Sequence, residues 1–302
     1  MSELNELESF AEKIRPKATI NSTLSGASKV DPFFQEDPVV ARLIKYCIKK
    51  GKNAYIWGHT GCGKSQIAIQ VAAKLGIRLV PFNCHTETSP DNLIGTITRN
   101  EKGALTVLYG AAVQAYKEGY GLLLEEIDHA NADILAALHR ILETNSDYYV
   151  MNILGEELVN KRKGFFCLAT ANTPGTGEGT YLYPGTKPLN SAFMNRFPVK
   201  LKMDYMKPAL EAEVLMKKTG VEQVYAKAMV DFATTARSAL LATTASSSIA
   251  TPISTRDLLS WAELIVEGED FKGAAEIAFL NCVNSGDREV LGRFVENAYR
   301  VI

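Results

Sequence analysis

Eight consecutive residues, Gly58-His59-Thr60-Gly61-Cys62-Gly63-Lys64-Ser65, have the composition of a loop that wraps phosphate. Glycines at three of these positions let the backbone curl until successive N–H groups point inward at an anion. Lys64 brings a mobile positive charge to the β- and γ-phosphates, and the Ser65 hydroxyl can ligate Mg²⁺. The run NAYIW before the loop reads as a buried strand, and Ser65 to Leu75 after it reads as a helix whose positive end faces the same anion. Strand, loop and helix in this order point to ATP with Mg²⁺ as the bound species.

A second cluster follows an apolar run. Gly121 to Leu124 leads into Glu125-Glu126-Ile127-Asp128. In an open α/β sheet, ligands sit beyond the C-terminal ends of the strands, where these acids emerge. Glu125 is the expected Mg²⁺ partner, acting through water, and Glu126 the expected base for an attacking water. Aspartate is the usual residue at the first of these positions. The additional methylene of Glu125 carries its carboxylate outward by about one bond length, which a bridging water accommodates. A further run, Phe165 to Ala171, ends at Asn172, an amide able to orient the lytic water or touch the γ-phosphate. The four histidines and five cysteines lack ligand spacing: Cys84-His85 has no tightly spaced companion, and His129 and His139 are ten apart, not three or four, and read as helix-surface residues.

The elements that must position these residues form a regular order. An amphipathic helix from about Pro38 to Lys50 precedes the first strand. RLVPFNC, GLLLEEID, GFFCLATAN and PVKLKM read as four more strands, with helices between them, including one over Asp133 to Glu143. Apolar runs of this length between helices indicate a parallel sheet covered on both faces. From Pro208 onward the pattern is helical, broken by the Ser/Thr-rich TTASSSIATP. The expected fold class is α/β: a P-loop core with a five-stranded parallel sheet flanked by helices, then a small all-helical lid. The expected division is a flexible arm over 1–30, a nucleotide-binding core over 31–206 and a lid over 207–302. Two hairpins interrupt the core, Ile94 to Tyr109 and Tyr149 to Gly164.

Composition narrows the function. Of 302 residues, 46% are hydrophobic and 22% charged, which is ordinary for a globular chain, and no apolar run reaches the ~18 residues of a membrane span. A net charge of −1 argues against a protein that grips nucleic acid by neutralising its phosphates. Five scattered cysteines and an N-terminus without an apolar core fit a cytoplasmic location.

Gly58 to Ser65, Glu125-Glu126, Ala169 to Asn172 and Asn195-Arg196-Phe197 fall in the order found in AAA+ ATPases, which the chain resembles. Within them it is most similar to the MoxR branch and to the CobS-type cobaltochelatase small subunit. The stretch from Ala169 to Phe197 carries that likeness, as do Asp91 to Gly95, His139 to Glu143 and Ser254-Thr255-Arg256. The resemblance implies that Asn172 is the sensor-1 residue, Arg196 an arginine finger and Arg256 the sensor-2 arginine of the lid. It also implies a homo-oligomeric ring, a hexamer, and a partner with a von Willebrand A domain. In such a system the ring remodels a partner protein or drives metal insertion by a third subunit. The hairpins of that branch decorate the ring and contact its substrate. Two other functions compete, a nucleotide-dependent switch with little hydrolysis and a nucleic-acid motor or loader.

Overall fold

The computed structural model describes residues 29–99, 103–143, 145–177, 183–241 and 249–302. Nearly all of the expected arm, the tip of the first hairpin, residues 178–182 of the Ala169–Phe197 stretch and most of the Ser/Thr-rich loop lie outside them. Packing divides the chain into two units. One holds the described residues up to 31, Glu36–Gly58 and Lys64–Met203; the other holds Pro32–Gln35, His59–Gly63 and Asp204–Ile302.

In the first unit, helix α1 (Pro38–Lys50) starts where the Asp37 carboxylate accepts from the Val39 and Val40 amides, with Pro38 at the first helical position. It stops at Gly51, whose φ of 59° is the left-handed cap that glycine adopts without cost. Five strands follow: β1 (Ala54–Gly58), β2 (Leu79–Asn83), β5 (Gly121–Glu125), β8 (Phe166–Ala171) and β9 (Val199–Met203). They form one sheet in the order β2-β5-β8-β1-β9, and every neighbouring pair is parallel. The middle strand, β8, is buried along its whole length, which is why its run FCLATA is apolar without alternation. Helices α2 (Lys64–Lys74), α4 (Ala111–Glu118) and α5 (Ala132–Ile141) provide the crossovers, and the short α3 (Pro90–Ile94) and α6 (Ser191–Met194) sit before the first hairpin and before β9. The core runs through Tyr55, Leu122, Leu124, Cys167, Phe193 and Phe197, all essentially inaccessible.

Two antiparallel hairpins interrupt this pattern: β3 (Gly95–Arg99) with β4 (Leu105–Tyr109), and β6 (Tyr148–Asn152) with β7 (Glu156–Asn160). They are tied to each other, because the Tyr109 hydroxyl donates to Glu157 at 2.5 Å while accepting from Lys117 at 2.7 Å.

The second unit is helical: α7 (Pro208–Thr219), α8 (Gln223–Leu240), α9 (Thr255–Val266), α10 (Phe271–Ala278) and α11 (Ser285–Tyr299). Trp261 is its centre, fully buried and in edge or tilted contact with Phe232, Phe271 and Phe279. Its indole N–H donates to the Phe271 carbonyl at 2.8 Å, so the large ring carries no unsatisfied donor into the core. Helix α9 opens on a reciprocal cap between Ser254 and Asp257.

Candidate functional site

Strand order sets the site. From β1 the chain crosses to the far edge at β2 and returns through β5 and β8, then places β9 on the other side of β1. Such a reversal opens a crevice at the C-terminal ends of the strands. Trp57 pairs with Ala171 across the ladder, which sets Gly58 beside Asn172; Leu124 pairs with Ala169, which brings Glu125 and Glu126 to the same end.

Lys64 opens α2, where a positive charge opposes the helix dipole, so helix stability alone does not favour it there. Its Nζ donates to the Gly58 carbonyl at 2.8 Å and to Asn172 Oδ1 at 3.1 Å. One ammonium thus joins the start of the loop to the end of β8. Ser65 follows Lys64 in the first turn, half-buried. Along the loop, Gly61 and Gly63 have φ of 79° and 90°, and the Cys62 amide donates to the His59 carbonyl at 3.3 Å. The glycine spacing is therefore required by backbone conformation.

The acid run ends differently from its appearance in the sequence. The strand expected over GLLLEEID stops at Glu125, and residues Ile127–His129 form a 3-10 turn. Between them Glu126 sits at φ 55°, ψ 43°, and among the described residues it is the only non-glycine with positive φ. A left-handed conformation costs such a residue on the order of 1 kcal/mol and concentrates at functional positions. The turn swings Glu126 out to solvent and Asp128 into the protein: Glu126 is exposed, Glu125 half-buried and Asp128 inaccessible. Cys84 lies beside these acids, its amide bonded to the Glu125 carbonyl at 2.8 Å. Burial, then the charges of Glu125, Glu126 and Asp128, push its thiol up to about 12, so it stays neutral.

Asp128 is a positioning group that the motif reading left without a role. Its Oδ2 accepts from the Asn172 amide at 2.9 Å, the Thr173 amide at 3.0 Å and the Thr173 hydroxyl at 3.1 Å. It holds the turn that carries Asn172. The only signal in the sequence is a third acid two residues after the strand-end pair. Asp128→Ala leaves three donors unpartnered, two of them buried, so we expect a loss of about 3 kcal/mol in urea unfolding, whereas Glu126→Gln should leave the midpoint unchanged.

Arg196 lies elsewhere. Its Nη2 bonds Glu143 at 2.8 Å and its Nη1 the Ala192 carbonyl at 2.9 Å. Its backbone carbonyl accepts from Asn53 Nδ2 at 2.9 Å. Asn53 is a buried amide that also donates to the Leu142 carbonyl at 3.1 Å and accepts from the Cys167 amide at 3.0 Å. It precedes β1, whereas Gly58 ends it; five residues at about 3.3 Å each separate the two by roughly 16 Å. The Arg196 backbone is therefore fixed at the N-terminal end of the strands, with Gly58, Lys64 and Asn172 at the other. In the second unit, Arg256 occupies the first turn of α9, exposed and without an ion pair to a described residue. Like Lys64, it is a cation where the helix dipole is unfavourable.

A P-loop closing the first strand of a five-stranded parallel sheet, with strand-end acids beside it and a helical unit after it, defines an AAA-type nucleotide-binding protein. The family described as "AAA domain (dynein-related subfamily)" matches residues 53–197, and the one described as "CbbQ/NirQ/NorQ C-terminal" matches 211–296. The chain is an AAA+ protein of the MoxR type. It is 26% identical over 288 residues to the aerobic cobaltochelatase subunit CobS of a Sinorhizobium species, covering 90% of this chain and 82% of that protein. It is 28% identical over 191 residues to midasin of Dictyostelium discoideum, across 63% of this chain but 3% of midasin. It is 30% identical over 203 residues to the uncharacterized protein YojN of Bacillus subtilis strain 168, across 66% of this chain and 60% of YojN. No helix among the described residues is long and apolar enough to cross a membrane.

Proposed function

We propose that this chain hydrolyses ATP at sites shared between neighbouring subunits of a homo-oligomeric ring, a hexamer, and couples turnover to remodelling a partner protein. The observation that carries this reading is the separation of Lys64 from Arg196 by the length of β1. An arginine anchored at that end of the sheet serves a phosphoryl group bound by another copy more readily than one bound by its own.

Within one subunit each group has a task. Loop amides from Gly58 to Ser65 and the Lys64 ammonium take the phosphates of ATP. Hard oxygen donors at Ser65 and Glu125 suit Mg²⁺, which keeps several waters and needs few protein ligands. When bound it neutralises charge on the phosphates. Glu126, exposed at the strand end, accepts a proton from water as the water oxygen attacks the γ-phosphorus and the bond to the β–γ bridging oxygen breaks. Asn172, held by Asp128 from below and by Lys64 at its Oδ1, orients that water. Arg196 of the adjoining copy stabilises the charge developing on the transferred group, and Arg256 acts from the lid.

The likeness to a cobaltochelatase subunit over most of both chains supports metal insertion as the process served, with a von Willebrand A-domain protein as the partner. Nucleic acid is not the partner on this reading. We place the protein in the cytoplasm, where Cys47, Cys84 and Cys167, buried and with thiols pushed up by burial, stay reduced.

Lys64→Ala tests the first step. Losing the charge-assisted phosphate contacts should raise the dissociation constant for a fluorescent ATP analogue about a hundredfold. Wild-type affinity in that variant would remove the phosphate-loop assignment.

A further inference from the structure

Glu211, in the first turn of α7, and Arg237, in the last turn of α8, are charged residues that folding takes out of water, 0% and 6% exposed. Their contact is bidentate: Nη1 to Oε2 at 2.6 Å and Nη2 to Oε1 at 2.9 Å. Desolvation offsets most of the attraction in such a pair, so its value to stability is small and what it positions matters more. It positions two segments. Arg237 Nε donates to the Ile253 carbonyl at 2.9 Å, and Glu211 Oε1 accepts from the Thr255 hydroxyl at 2.5 Å, fixing the entry to α9. The Arg237 guanidinium also lies over the Tyr205 ring, 4.1 Å from its centroid, a cation–π contact.

Both segments meet residues 59–61, which pack with this same unit. The Tyr205 hydroxyl donates to the Thr60 carbonyl at 3.0 Å, and its ring stacks on His59 with centroids 6.0 Å apart and planes within 9°. Gly61 comes so near the entry to α9 that a Cβ on it would fall 2.2 Å from Ser254 Cβ. Only glycine fits there, and its φ of 79° makes the same demand. One buried ion pair therefore braces both segments that meet the loop, the one that bonds it through Tyr205 and the one that packs close against Gly61.

We propose that Tyr205 is a positioning residue for phosphate binding, and that the Glu211–Arg237 pair holds it in place. The carbonyl and N–H of a trans peptide point in opposite directions. Holding the Thr60 carbonyl on Tyr205 turns the Gly61 N–H away from it and fixes that donor before any anion arrives. The helical unit thus sets the affinity of the loop through a hydroxyl, without touching the nucleotide by that route. This rests on the reading that the loop binds the phosphates of a nucleotide.

Tyr205→Phe removes the hydroxyl while keeping the ring for both His59 and Arg237. In the full chain without nucleotide, amide hydrogen exchange at residues 60–63 should rise roughly three- to tenfold, the loss expected for one hydrogen bond. The dissociation constant for a fluorescent ATP analogue should rise by a similar factor, with the thermal midpoint lowered by no more than a few degrees. Arg237→Lys, which keeps the charge but not the fork or the stacking, should weaken ATP in the same direction. The double variant should do no more than Arg237→Lys alone. Wild-type exchange and affinity in Tyr205→Phe, or additive effects in the double variant, would overturn the brace. Wild-type protein that binds no ATP would overturn the nucleotide reading instead, while the exchange measurement still decides whether Tyr205 holds the loop.

Discussion

Arg196→Ala is expected to bind ATP as the wild type does and to lose hydrolysis by about a thousandfold or more, the effect of removing an arginine from a phosphoryl-transfer site. The structure separates this from a folding defect. The partner left behind, Glu143, has 36% of its side chain exposed and can be hydrated, so the lost pair should cost below about 1 kcal/mol. The decisive measurement mixes variants. Arg196→Ala subunits have intact Lys64 and Glu126, and Glu126→Gln subunits have an intact Arg196. In a ring of shared sites, some junctions of a mixed assembly hold a complete set, and part of the turnover returns. Two inactive proteins that stay inactive on mixing would show that each subunit uses its own arginine. Full turnover by Arg196→Ala alone would remove the residue from the mechanism.

Glu126→Gln carries the second large effect. The amide keeps the shape of the side chain but cannot accept the proton of the attacking water. Steady-state hydrolysis should fall about 10²- to 10⁴-fold with ATP affinity retained. Exposure of Glu126 and its lack of a side-chain cap at the turn argue that the substitution leaves the fold alone. The variant should therefore accumulate ATP-bound protein, measurable as nucleotide retained through gel filtration. It also provides the means to find the client, because a partner held by the ATP state should co-purify with Glu126→Gln and not with Lys64→Ala. Turnover by Glu126→Gln at the wild-type rate would point to another base. If neither it nor the wild type hydrolyses ATP, alone or with a partner, the switch reading gains.

Much of the fold was legible because its signals are local. The three central strands, β5, β8 and β1, are nearly continuous apolar runs, and Gly58 to Ser65 carries its meaning within eight positions between a strand and a helix. The remainder depends on contacts between distant segments. Nothing in the acid run says that the strand ends at Glu125, because the left-handed turn at Glu126 is a backbone conformation that residue type does not announce. Asp128 looks like one more exposed acid until Asn172 and Thr173, more than forty residues later, arrive to donate to it. Asn53 is a single polar letter before an apolar run, and its three partners come from three other parts of the chain. Tyr205 falls between the last strand and the first lid helix, where periodicity says nothing.

Asn53 also has a meaning for inheritance. Its amide anchors the backbone from which Arg196 projects, and it takes no part in the phosphate end of its own subunit. Where each arginine serves the next copy, slack at position 53 is felt at a neighbour's site as well as in the altered copy's own core. In a ring of shared sites, an allele changed there would impair the normal copy that depends on the altered one's arginine, so mixed assemblies would lose more activity than their share of altered copies.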